Sequence, residues 1–206
     1  MDIKGSRVIK VNEIFYSLQG EGFRAGEPSV FIRLTGCDLT CGFCDTEFES
    51  GEDIKLKDLC RTVREYGDCR WIVFTGGEPL LQLDEDILQY FKDEGFLIAI
   101  ETNGNNRVTE EMWELIDWIV VSPKVANHVV EKNFKGILID EYRLVRHKGH
   151  KSLSSPQKLD IRYKYVSPVF DGNKPDAENI KHCINLCLAH PDWRLSLQLH
   201  KILNIL

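Results

Sequence analysis

At 206 residues and 43% hydrophobic, the chain carries enough apolar residues for one sizeable core and is short for two full domains, so residues 1–206 are expected to form a single domain. Its 26 lysines and arginines against 32 acidic residues give a net charge of −6 with no basic block, which argues against nucleic acid and against a polybasic membrane patch. The first residues run into charged and alternating sequence, so no signal peptide or membrane span is expected, and in the cytoplasmic, thiol-reducing setting that follows, seven cysteines read as metal ligands and core residues rather than a disulfide framework.

Apolar runs that end in Gly, Pro or polar residues alternate with stretches of helical periodicity, the rhythm of β/α units. A strand over 8–18 leads into Gln19-Gly20-Glu21-Gly22. A second, over 29–34, carries Arg33 and ends at Thr35-Gly36, just before the loop Cys37-x-x-x-Cys41-x-x-Cys44. The spacing predicts a helix over 56–65, where Leu56, Leu59, Cys60 and Val63 form one stripe. The strand over 71–74 runs into Thr75-Gly76-Gly77-Glu78-Pro79, a helix follows over 83–91, and the strand over 96–100 ends at Glu101-Thr102-Asn103-Gly104. Next come a helix over 110–116 and a strand over 118–121 with Ser122-Pro123-Lys124 behind it.

Segment 125–160 is less regular and rich in Lys and His, and reads as exposed loop apart from a strand over 142–145. His147 and His150 lack a carboxylate at catalytic spacing and read as solvated. A strand over 161–166, a helix over 177–188 with Ile180, Ile184, Cys187 and Leu188 on one side, and a strand over 194–199 complete the pattern. The apolar residues 202–206 signal a last strand or a packed terminus. Strands alternating with helices imply a mainly parallel sheet, whose functional residues gather at the carboxyl ends of its strands. Cys60 and Cys187 fall on the buried stripes, Cys183 adjoins one, and Cys69 precedes a strand, so these four read as packing residues.

The three clustered cysteines are the informative number. A cubane held by four cysteines is coordinatively closed, whereas one held by three leaves an iron free to bind a small molecule. Zinc is the alternative; it normally takes a fourth Cys or His ligand, and residues 45–59 offer neither. The spacing, with the aromatic Phe43 before the third cysteine, resembles the signature of the radical S-adenosylmethionine superfamily. Gly76-Gly77-Glu78-Pro79 looks like that superfamily's second element, although alone it reads equally as a strand-to-helix turn. The resemblance implies a single-domain α/β fold, an incomplete (β/α) barrel, with a [4Fe-4S] cluster on Cys37, Cys41 and Cys44 and S-adenosylmethionine chelated at the free iron.

A narrower resemblance, to the 7-carboxy-7-deazaguanine synthase family of queuosine and deazapurine synthesis, begins in residues 13–22 and continues through Gly26, Pro28, Arg33, Cys44-Asp45-Thr46, Glu101 to Gly104, Val121 to Lys124 and Trp193 to Lys201. It implies conversion of 6-carboxy-5,6,7,8-tetrahydropterin to 7-carboxy-7-deazaguanine with loss of ammonia, Mg²⁺ held by Thr46, a flavodoxin or ferredoxin-type electron donor, and a homodimer. Cofactor contacts carried over are Phe43, Gly77, Asn103, Ser122, Pro123 and Lys124, with Ser167, Pro168, Val169 and Phe170. Substrate contacts are Leu18, Gln19, Gly20, Glu21, Arg33, Thr75, Glu101, His200 and Leu206. Arg33 supplies a planar donor for the substrate carboxylate, while Gln19 and Glu21 suit the amide-like edge of a pterin. No side chain reads as a general acid or base. The stretch 166–172 departs from the family's usual version, as does Leu199 before His200. Two rival readings share part of this pattern: an enzyme installing a glycyl radical on a partner protein, and a zinc-stabilised binding module.

Overall fold

The computed structural model describes residues 4–42, 44 and 47–206. The sheet grows from apolar runs buried on both faces. Val30 to Ile32, Ile72 to Phe74 and Ile98 to Ile100 are almost wholly enclosed, the pattern of parallel strands covered on both sides.

Among the described residues the strands join in one nine-stranded open sheet, in the order β3-β1-β2-β4-β5-β6-β7-β8-β9. The strands are β1 (Val8–Leu18), β2 (Pro28–Leu34), β3 (Glu52–Lys55), β4 (Trp71–Gly76), β5 (Leu97–Thr102), β6 (Trp118–Val121), β7 (Ile139–Arg146), β8 (Ile161–Pro168) and β9 (Trp193–Leu195). From β2 to β9 every neighbouring pair is parallel, while β1 pairs antiparallel with both β2 and the edge strand β3. The helices are α1 (Leu56–Arg64), α2 (Glu85–Asp93), α3 (Glu110–Leu115), α4 (Asn127–Asn133), α5 (Ala177–Ala189) and α6 (Leu199–Leu203).

Alternation along the strands divides the sheet into two faces. Ile32, Phe74, Ile98, Ile100, Val121, Tyr142 and Val166 join the main core, where they meet helix residues such as Leu59, Val63, Leu88, Phe91 and Cys183. The opposite face carries the smaller cluster of Phe15, Phe31, Val73 and Ala99. Toward the carboxyl ends the side chains on this second face turn polar, and that change places the site. Short polar side chains start the helices: Asp84 accepts from Ile87 N at α2, Thr109 from Met112 N at α3, and Asp176 from Glu178 N and Asn179 N at α5.

Three expectations need correction, and one strand was not expected. The charged segment Glu52–Lys55 forms β3, an exposed edge strand. The segment expected as loop contains α4, whose one buried residue is Val130, and β7 is longer than expected. The last strand stops at Leu195, and the chain ends in α6 rather than in a strand. On α5 the inward face is Asn179, Cys183 and Leu186, because the helix is rotated relative to the expected stripe; Ile184 is 40% and Leu188 77% exposed. Leu188→Glu is therefore expected to change stability by no more than about 0.5 kcal/mol, whereas Leu186→Ala should cost about 2–3 kcal/mol. Urea denaturation of the two variants checks the rotation. No helix among the described residues is long and apolar enough to cross a membrane.

Candidate active site

A cleft of about 880 Å³ opens at the carboxyl ends of the strands. Its first wall is the cysteine loop. β2 ends at Leu34, the chain turns at Thr35 and Gly36, and Gly36 N donates to Phe48 O across 2.9 Å, closing the loop at its base. Gln82 ties this base to β1: its Nε2 donates to Lys10 O at 3.1 Å and Thr35 O at 3.0 Å, and its Oε1 accepts from Lys10 N at 2.7 Å. The far end is held by Glu47. The Ser50 hydroxyl, then the Ser50 and Glu49 amides, hold its carboxyl down at about 2, and Asn12 Nδ2 donates to it across 2.7 Å.

Cys37, Cys41 and Cys44 all line the cleft, the first two half-buried and the third exposed. Burial raises the Cys37 thiol pKa, so occupation by iron must displace its proton. Burial works to raise the carboxyl of the adjacent Asp38, but amide donors from Asn105 at 2.8 Å, Asn103 at 3.0 Å and Asn106 at 2.9 Å outweigh it and lower the pKa. These bonds fasten the cysteine loop to the turn after β5, and Asn103 Nδ2 also stands 3.9 Å from Cys37 Sγ. Three thiols on one anchored loop at the wall of a cleft fit the donor set of a three-cysteine cluster. Phe43 and Thr46 lie outside the described residues.

The Gly-Gly-Glu-Pro turn follows β4 and packs directly on that loop. Gly77 N donates to Leu34 O at 3.1 Å and Glu78 N to Gly36 O at 2.8 Å. A Cβ on Gly77 would lie 1.9 Å from Gly36 O, so glycine is required by the approach of one backbone to the other. Glu78 is fully buried and accepts from Thr102 Oγ1 at 2.8 Å, Asn103 N at 2.7 Å and Leu80 N at 3.1 Å, joining the ends of β4 and β5.

Burial pushes the Glu78 carboxyl from 4.5 to about 7 against those three donors. A carboxyl whose folded pKa is raised binds more protons in the folded state, so stability is full below the unfolded pKa and falls as pH rises through the folded one. Stability of the cluster-free protein should thus fall by about 3 kcal/mol from this group between pH 4.5 and 7. Glu78→Gln should flatten that slope in melting curves taken across the same range.

The residues after β1 also line the cleft. Gln19 is buried; its Nε2 donates to Glu101 Oε1 at 3.1 Å, and its Oε1 accepts from Glu21 N at 3.0 Å. Thr75 Oγ1 donates to Glu101 Oε2 at 3.4 Å. Arg33 Nε donates to Glu13 Oε2 at 3.3 Å, and its guanidinium sits 5.5 Å above the Phe15 ring.

Lys124 Nζ donates to Ser122 O at 2.9 Å and to Ser122 Oγ at 2.8 Å; burial lowers its pKa, opposed by Cys41 and Glu21. Ser167, Pro168, Val169 and Phe170 form the end wall. The terminal segment crosses the mouth: Leu199 N donates to Gly20 O at 2.9 Å, His200 lines the cleft, and Ser17 Oγ donates to Leu206 O at 2.6 Å. Every expected contact residue that is described lines the cleft except Pro123. Sequence reasoning missed Arg143 on β7, which lines the cleft between Glu21, Glu101 and Glu141, and Ser17, which holds the terminal residue.

Residues 31–151 match the Radical SAM superfamily. A 7-carboxy-7-deazaguanine synthase of Burkholderia multivorans is 43% identical, over 95% of this chain and 98% of that protein. One from Bacteroides thetaiotaomicron is 36% identical over the same shares. The crystal structure of QueE from Escherichia coli shares the fold, with a TM-score of 0.72 at 24% identity over 96% of both chains.

Proposed function

The chain belongs to the 7-carboxy-7-deazaguanine synthase family of the radical SAM superfamily, and from that premise we propose that it is a lyase converting 6-carboxy-5,6,7,8-tetrahydropterin to 7-carboxy-7-deazaguanine with loss of ammonia, in queuosine and deazapurine synthesis. The observation that carries this reading is the single cleft that three cysteine thiols line together with Gln19, Glu21, Arg33 and Glu101. When bound, the cluster and S-adenosylmethionine supply an electron and a 5′-deoxyadenosyl radical.

The chain's own residues bind and orient. Cys37, Cys41 and Cys44 would hold the cluster, and Asn103, fixed by its bond to Asp38, stands beside Cys37 and would support the cofactor there. Gly77, Ser122, Lys124 and Ser167 to Phe170 line the same cleft and would hold the rest of S-adenosylmethionine. Phe43 and Pro123 join this set by family resemblance.

Arg33, steadied by Glu13, would take the substrate carboxylate. Glu101, steadied by Gln19 and Thr75, would accept from the N–H groups of the pterin edge; Glu21 and the backbone of Leu18 and Gly20 complete the recognition. His200 and Leu206 on the terminal segment line the cleft and would close over bound substrate, keeping water from a reactive radical. Mg²⁺ on Thr46 suits a metal that binds few side chains and completes its shell with substrate oxygens and water. A low-potential one-electron donor of the flavodoxin or ferredoxin class, a homodimer and a cytoplasmic location belong to the same proposal.

Anaerobic incubation with the carboxytetrahydropterin, S-adenosylmethionine, Mg²⁺ and a reductant tests it. Mass spectrometry is expected to find 7-carboxy-7-deazaguanine. Cleavage of S-adenosylmethionine without that product would favour a protein-radical activase instead.

A further inference from the structure

Arg143 stands in the middle of β7, a strand enclosed on both faces through Leu144. Its side chain is 5% exposed, and three carboxylates surround it. Nη1 lies 3.3 Å from Glu21 Oε2 and 3.8 Å from Glu101 Oε1; Nη2 lies 3.2 Å from Glu141 Oε2. Burial by itself would lower the guanidinium pKa, and Glu21, Glu101 and Glu141 together more than reverse that. Such a cation does not titrate near neutral pH; it is a fixed charge.

The carboxylates it joins come from three different elements. Glu21 follows β1, Glu101 ends β5, and Glu141 lies two residues from Arg143 on β7. Glu141 is 1% exposed and is itself held, accepting from Trp118 Nε1 at 2.8 Å and from Phe23 N at 3.2 Å. Glu21 is also held from β8, by Ser167 Oγ at 3.0 Å. The backbone is shaped around this pair, since a Cβ on Gly22, where φ is +74°, would fall 1.8 Å from Glu141 Oε2 and 2.8 Å from Arg143 Nη2.

Glu21 and Glu101 both line the cleft, and two carboxylates that close would repel each other without a cation between them. Arg143 Nε is buried and has no hydrogen-bond partner among the described residues, so the two carboxylates on the cleft are reached through Nη1.

We propose that Arg143 is the positioning residue of the substrate side of the cleft, its single guanidinium holding Glu21 and Glu101 side by side as paired acceptors for the donor edge of the pterin. This rests on the functional reading above. A planar fork suits three partners in different directions, and a lysine ammonium does not reach all of them.

Arg143→Met and Arg143→Lys are compared with wild type as reconstituted holoenzyme. Affinity for the pterin is measured by calorimetry with S-adenosylmethionine present and no reductant, alongside KM, kcat, iron content and affinity for S-adenosylmethionine. Arg143→Met is expected to weaken pterin binding about 100-fold, the size of losing two oriented hydrogen bonds, with iron content and S-adenosylmethionine affinity within twofold of wild type. Arg143→Lys should recover part of the loss. Adding Glu141→Gln to Arg143→Met removes one of the buried negative charges that the first substitution leaves without its cation, and should also recover part.

Pterin affinity within twofold of wild type in Arg143→Met overturns the proposal. So does an equal loss of pterin, S-adenosylmethionine and iron, which marks a residue that only supports the fold. If the methionine variant does not fold, the lysine variant decides: a several-fold loss confined to the pterin supports the proposal, and unchanged affinity overturns it. Wild-type protein that makes no deazaguanine refutes the functional reading, whereas wild-type turnover beside an unaltered Arg143→Met refutes only the role of Arg143.

Discussion

Cys41→Ala is expected to bring turnover to background, a loss of at least about 10⁶-fold, the lower end of what enzymes supply over uncatalysed reactions. On the proposed ligand set of Cys37, Cys41 and Cys44, losing one thiol leaves two, and none of the other four cysteines is placed to replace it. Cys60 is buried in α1 among the helix-packed core, its thiol pushed by burial to about 12. Cys69 lies just before β4, at the opposite end of the strand from the cleft. Cys183 and Cys187 are on α5, and neither lines the cleft. Cys41 is half-buried in a loop, so the protein itself should remain folded, with stability changed by about 1 kcal/mol or less. Iron and sulfide analysis after reconstitution, together with the melting temperature, checks both halves. Cys187→Ala should retain full iron content; a cluster kept by Cys41→Ala and lost by Cys187→Ala would mean the ligands are elsewhere.

The second large effect is expected from Gly77→Ala. The added methyl group meets backbone on the cysteine loop: Gly36 O at 1.9 Å, Gly36 C at 2.6 Å and Cys37 N at 3.1 Å. Neither side yields easily, because the two segments are joined by Gly77 N to Leu34 O and Glu78 N to Gly36 O, and Glu78 is locked to the end of β5 by two further bonds, from Thr102 Oγ1 and Asn103 N. Overpacking of this kind costs about 1–3 kcal/mol. Cys37 and Asn103 must shift with the turn, and a displacement of about 1 Å at a reacting centre costs on the order of 10²-fold in rate. Turnover and thermal melting of the variant test this. Unchanged kcat would show that the turn does not set the position of the cluster loop.

The parallel strands were legible in the sequence because they are continuous apolar runs ended by Gly, Pro or polar residues, and this alone placed Thr75, Glu101 and Ser122 at one end of the sheet. β3 was not legible, since a four-residue edge strand of Glu, Asp, Ile and Lys has one apolar residue and buries little. α4 was hidden for the same reason, as only Val130 is buried. The tail misled through its alternation: Leu195, Leu197 and Leu199 read as a strand, yet pairing of β8 with β9 ends at Leu195 and the bond from Leu199 N to Gly20 O turns the chain across the mouth. On α5 the expected stripe of Ile180, Ile184, Cys187 and Leu188 misled because the polar Asn179, whose Nδ2 donates to Val169 O, is buried and turns the face of Cys183 and Leu186 inward.

The site was legible where its residues sit in motifs. Arg143 was not, because charged residues inside a strand normally mark a solvated face, and only the three-dimensional meeting of Glu21, Glu101 and Glu141 shows that these charges satisfy one another inside the fold.

The most direct measurement is electron paramagnetic resonance of the reduced, reconstituted protein with and without S-adenosylmethionine. Three cysteine ligands leave one iron open, so about four irons per chain and a spectrum that changes when S-adenosylmethionine is added are expected. A spectrum that S-adenosylmethionine leaves unaltered, or a protein that takes up no iron, would contradict an open iron at Cys37, Cys41 and Cys44.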